Sequence, residues 1–133
     1  MRHSAWLHAV PKEAKTSRLD SLKLEEKIVS MPLVSAPHII DYLYEIGPTL
    51  AGGMGGVPLS HLEIDAWQRN TGIDLDAWEA RFLVRLSREF LAESHKAEAK
   101  DRPAPWTEVP VEVDRDQVSR SLFNALESMR KKR

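Results

Sequence analysis

The chain has 133 residues, 19 Lys plus Arg against 20 Asp plus Glu, and no cysteine. That length suits one small domain. The charge balance carries no footprint of a nucleic-acid or anionic-membrane binder, and the missing thiol excludes disulfide scaffolds, Cys-ligated zinc and thiol catalysis.

In chain order, residues 1–16 alternate polar and apolar without a clear period, and Pro11 breaks any helix that Trp6 and Leu7 start. A mobile N-terminal segment is expected there, with Trp6 as an anchor. It lacks the apolar core of a signal peptide, and no run in the chain approaches the roughly 18 apolar residues of a membrane span. A soluble, non-exported protein follows as an expectation. "SRLDSLKLEEKIVS" places Leu19, Leu22 and Ile28 at helical spacing before Pro32, predicting a helix of two to three turns from Ser17. "SAPHIIDYLYEIGP" predicts a second, with Ser35 as cap, Pro37 in the first turn, an apolar face through Ile39, Ile40, Leu43, Tyr44 and Ile46, and a stop at Gly47–Pro48.

The stretch "GPTLAGGMGGVP" then reads as a connection between helices. Gly52, Gly53, Gly55 and Gly56 make it a flexible loop with Met54 at its centre, either a surface contact or a lid over the Trp67 region. A phosphate loop needs a preceding strand and a closing Gly-Lys-Ser/Thr, and neither occurs, so nucleotide binding is not expected. Next comes a helical hairpin over 60–100. Ser60 with Glu63 spells a capping box, Leu62, Ala66 and Trp67 share a face, and Gly72 ends the first arm. The second arm starts either at Asp74, with Ile73 and Trp78 as a hydrophobic staple, or at Asp76 with Glu79 as a capping box. Leu75, Trp78, Phe82, Leu86 and Phe90 form the stripe expected to be the core. Prolines 103, 105 and 110 mark residues 102–113 as a linker, and 114–133 predicts an amphipathic helix with Val118, Leu122, Leu126 and Met129 on one face.

Side chains able to do chemistry are scattered. The five histidines make no i, i+4 metal pair, His61-Leu62-Glu63 lacks the cysteines that a zinc deaminase needs beside it, and no serine sits in a nucleophile elbow. An enzyme, a cofactor and a metal are therefore not expected. The hairpin has the lengths of a helix-turn-helix, but Asp74, Asp76 and Glu79 open the helix that would enter the groove.

"SRLDSLK" followed by "LYEIGPTLAGGMGGVPLSHLEIDAWQRNTGIDLDAWEARFLVRLSREFLAES" resembles a group of small proteins encoded in the tail-gene clusters of tailed phages and prophages. The positions that carry the resemblance are Glu63, Ile64, Ala66, Trp67, Thr71, Gly72, Leu75, Trp78, Glu79, Leu83, Leu86, Ser87 and Leu91, with Phe90 where the family often has tyrosine. The resemblance spans about residues 17–94. It implies a tail assembly chaperone-like protein in the host cytoplasm that keeps a tape-measure protein soluble until the tube forms.

These readings converge on an all-α fold, a small bundle of about four helices centred on the hairpin within a domain over 17–101. The expected partner is a helical protein client, with homo-oligomers compatible. Contact elements are Met54, Trp67 and the Val118, Leu122, Leu126 and Met129 face, although core assignment is preferred for Trp67 and Trp78 as large aromatics. The alternatives are a regulatory or nucleic-acid-binding module of helix-turn-helix type, and a minor structural tail component.

Overall fold

A 20-residue helix, α5 (Ala77–Lys96), organises the protein. It begins where Asp76 accepts hydrogen bonds from the Trp78 and Glu79 amides, both at 2.8 Å, while the Glu79 carboxylate accepts from the Asp76 amide at 3.0 Å. This reciprocal box satisfies donors that a helix start otherwise leaves open, and it selects Asp76 over Asp74 as the cap. In the computed structural model, which describes residues 1–108, α5 is preceded by α1 (Arg2–His8), α2 (Arg18–Leu24), α3 (Pro37–Ile46), β1 (Leu50–Gly52), β2 (Gly55–Val57) and α4 (His61–Thr71). The helix expected at 114–133 lies outside the described residues.

The core lies between α3, α4 and α5, where Ile39, Leu43, Leu59, Ile64, Leu83 and Val84 cluster. α3 is entered through Pro37 rather than a Ser35 side-chain cap, and Gly47 ends it with φ of 104°. α4 ends at the left-handed Gly72, as its spacing predicts. At the start of α4 the Ser60 hydroxyl donates to the Glu63 carboxylate instead of capping a backbone amide, so the expected exchange with the backbone is not made. Trp67 is buried and packs against Tyr42 with ring centroids 5.1 Å apart.

Three expectations are corrected. The fold is mostly helical but not purely so, because β1 and β2 pair antiparallel, with Leu50 opposite Val57 and Gly52 opposite Gly55. The flexible loop is thus a β-hairpin turning at Gly53 and Met54. The expected mobile segment contains α1, packed along α5 with Ala5 and Leu7 buried; Pro11 lies beyond this helix instead of preventing it. Trp78, expected in the core, is 54% exposed. It sits in the first turn of α5, where side chains lean towards the helix N-terminus and past its packing neighbours. The fully buried positions are Leu83 and Ser87, one turn apart, so the buried line runs beside the expected stripe.

Candidate partner-binding surface

The loop that raised a functional question is fixed at its neck by a residue its own sequence does not suggest. Ser87 is fully buried; its hydroxyl accepts from the Leu59 amide at 2.8 Å and donates to the Pro48 carbonyl at 2.7 Å, tying both ends of the hairpin segment to α5. A Cβ on Gly56 would stand 3.2 Å from the Leu91 side chain, so the hairpin backbone lies close on α5. Met54 projects from the tip fully exposed and covers nothing, which removes the lid over Trp67. Trp67 is buried, and its indole N–H has no partner among the described residues. Val118, Leu122, Leu126 and Met129 lie outside the described residues. Of the expected contact residues among those described, Met54 is thus exposed and Trp67 buried.

Exposed apolar side chains gather elsewhere. Between α2 and α3, Ile28 and Leu33 are 93% and 104% exposed, with Met31 and Val34 also exposed, and Leu24 at the end of α2 is exposed as well. The sequence signal for this strip is the absence of any charged side chain from Ile28 to Ile40. A second apolar feature is the Trp78 ring, stacked on Phe82 at 5.0 Å between centroids.

Beside Ile28 is a pocket of about 220 Å3, lined by Trp6, Leu22, Val29, Trp106 and His3 together with the polar Ser30, Thr107 and Glu108. His3 is 9% exposed, stacks on Trp6 at 5.8 Å and meets the edge of Trp106 at 5.5 Å, and its Nδ1 has no partner among the described residues. Burial lowers the pKa of His3, with the Ser30 backbone acting in the opposite sense and the Met1 amino group adding to the lowering. The wall is held by polar ties. The Trp6 indole donates to the Arg102 carbonyl at 2.9 Å, and the Arg18 guanidinium lies 4.9 Å from the Trp6 ring centre while donating to the carbonyls of Ala97 and Ala99. Arg102 forms a two-pronged bond to the buried Glu93 carboxylate, both arms 2.9 Å, and the Ser30 hydroxyl donates to Glu108 at 2.8 Å. The start of the expected linker is thereby drawn onto α1 and α5.

Among the described residues no group of three or more His, Asp or Glu side chains is placed to hold a metal ion, and no helix is long and apolar enough to cross a membrane. Arg81, Arg85 and Arg88 are exposed on α5. No protein-family model, curated protein or solved structure matches the chain.

Proposed function

We propose that the protein is a binding module for a helical protein client, chaperone-like in the manner that its resemblance to phage tail-cluster proteins implies, with the tape-measure protein as client. The observation that carries the reading is the apolar strip over 28–34, in which Ile28, Met31, Leu33 and Val34 stand exposed beside a cavity. An exposed apolar patch of this kind costs solvation unless a partner covers it, and an amphipathic helix laid on such a surface is a common solution. The strip replaces Trp67 and Met54 as the favoured contact region, because Trp67 is buried and the exposed strip offers more large apolar side chains than the Met54 tip.

The test is co-expression of the full chain with the tape-measure protein from the same gene cluster. A soluble complex that weakens when Ile28 and Leu33 are both changed to Ser, while the variant alone keeps its helical signal and melting temperature, is the expected result. A folded protein that leaves the tape-measure protein insoluble overturns the reading.

A further inference from the structure

We propose that the C-terminal segment of this chain, residues 114–133, docks its own apolar face on the strip over 28–34, so that the surface proposed for the client is covered from within until a client displaces the segment. The competition rests on the client-binding reading; the docking does not.

The path of the chain points to this occupant. The Ser30 hydroxyl, within the strip, donates to Glu108, the last described residue, at 2.8 Å. Ile28, Val29 and Ser30 also line one pocket together with Trp106, Thr107 and Glu108. The segment that follows therefore starts against the strip. Its apolar positions match that surface in length: Val118, Leu122, Leu126 and Met129 recur at intervals of three and four, on one face of the helix that the spacing predicts. At 1.5 Å per residue this face runs about 17 Å, and residues 28–34 span at most about 22 Å when fully extended. Residues 109–117 separate Glu108 from Val118 and can bridge about 30 Å, so the face reaches any part of the strip. The chemistry agrees as well. The strip exposes Ile28, Met31, Leu33 and Val34 and carries no charged side chain. Between Val118 and Met129 the charged residues are Arg120 and Glu127, which fall on the opposite side of the helix, so the contact buries no charge. A tethered segment meets its site at an effective concentration that reaches the millimolar range for short linkers, which favours it over a second copy in free solution. An amphipathic helix of this length gains most of its stability by packing such a face.

The chain has no cysteine, so Asn124→Cys, on the side of the helix away from the apolar face, gives one attachment point for a nitroxide. In the 15N-labelled full chain, paramagnetic broadening of the amides over 28–34 is expected, and most of it should be lost when Leu122→Ser and Leu126→Ser are added, because the tether is kept and only the apolar face is removed. Broadening that is absent, centred on other residues, or unchanged in the double variant overturns the docking. A mixture of unenriched nitroxide-bearing chain with 15N-labelled chain lacking the nitroxide tests the other occupant: broadening of the strip in that mixture puts the segment on a second copy and overturns the proposal too. Co-expressed at a limiting level with the tape-measure protein, Leu122→Ser/Leu126→Ser should keep about fivefold more of it soluble than the native chain does, which corresponds to a strip covered in about four-fifths of free molecules. Equal recovery overturns the competition, and so does a lower one, which would make the face itself a client contact. If neither chain keeps the tape-measure protein soluble, the client-binding reading and the competition fail together, while the broadening decides the docking.

Discussion

Ser87 illustrates how a single hydroxyl positions a functional loop. Its partners, the Leu59 amide and the Pro48 carbonyl, lie 28 and 39 residues away in sequence, which is why no local pattern around "RLSRE" announces the role. Ser87→Ala leaves the Leu59 amide buried without an acceptor and is expected to destabilise the fold by about 1–3 kcal/mol. In urea unfolding the midpoint should fall while the slope is unchanged; an unaltered midpoint would mean that water replaces the hydroxyl. His3 makes a second prediction at this scale. Its folded pKa is lowered from 6.5, so above that pH both folded and unfolded chains carry it neutral and its contribution is complete. As pH falls from 6.5 through the folded pKa, the unfolded chain takes up the proton first and stability declines. The charged groups around it are the Met1 amine and Arg2 on its own helix, Arg18 against Trp6, Arg102 behind Trp6, and Glu108 on the cavity wall. Glu63 and Glu89, whose pKa values are lowered by Ser60 and Arg2, act below 4.5, whereas the Met1 amine, lowered from 8.0 by burial, adds a rise with pH in the same sense that His3→Phe leaves in place. Urea midpoints measured from about pH 5 to 7 should therefore rise with pH in the native chain and rise less steeply in His3→Phe.

At the scale of elements, the glycine helix stops are legible in the sequence and the long-range pairings are not. Gly47 and Gly72 act within one turn of themselves, so local spacing locates these stops and offers the Asp76–Glu79 box as one of two starts for α5, although the side-chain caps it suggests at Ser35 and Ser60 are not made. The β-hairpin escapes the same reading because its strands have three residues each, too few to show a period, and two of the three positions in β2 are glycine. α1 escapes because its support comes from α5 almost ninety positions downstream, as in the Arg2–Glu89 ion pair, rather than from its own propensity. Among candidate contact residues, Met54, expected as either a surface contact or a lid, stands exposed, whereas the strip over 28–34 carries no helical period to draw attention to it. The hairpin also separates the glycines that the sequence groups together. A Cβ on Gly52 would meet the Gly55 carbonyl oxygen at 2.6 Å and the Val57 side chain at 2.7 Å, while one on Gly53 meets nothing within 4 Å. Gly52→Ala is thus expected to cost about 1–3 kcal/mol through overpacking, and Gly53→Ala to stay within about 0.5 kcal/mol of the native chain. Thermal unfolding of the two variants checks this, and equal effects would mean that the segment behaves as an open loop.

Across the described residues, α5 serves two neighbourhoods, which meet where Met1 packs against the main cluster and the Ser4 and Tyr44 hydroxyls bond. α3, α4 and the hairpin gather on Leu83, Val84 and Ser87, whereas α1 lies along α5 with Ala5 and Leu7 buried, and Arg18 ties α2 to the carbonyls of Ala97 and Ala99. Ala5 and Leu7 are absent from the main cluster of Ile39, Leu43, Leu59, Ile64, Leu83 and Val84. Such an arrangement allows the α1–α2 side to open while the α3–α5 core persists, because local stability follows the apolar contacts each unit makes. Leu7→Ala and Leu43→Ala remove similar buried volumes and should each cost about 2–5 kcal/mol of local stability. Their hydrogen-exchange maps should nevertheless differ: Leu7→Ala is expected to strip protection from α1 and α2 and leave α3 and α4 nearly as slow as before, and Leu43→Ala to speed exchange throughout. Uniform loss in both variants would show a single cooperative unit instead. The distinction bears on function, because His3, Trp6 and Leu22 wall the cavity from the α1–α2 side.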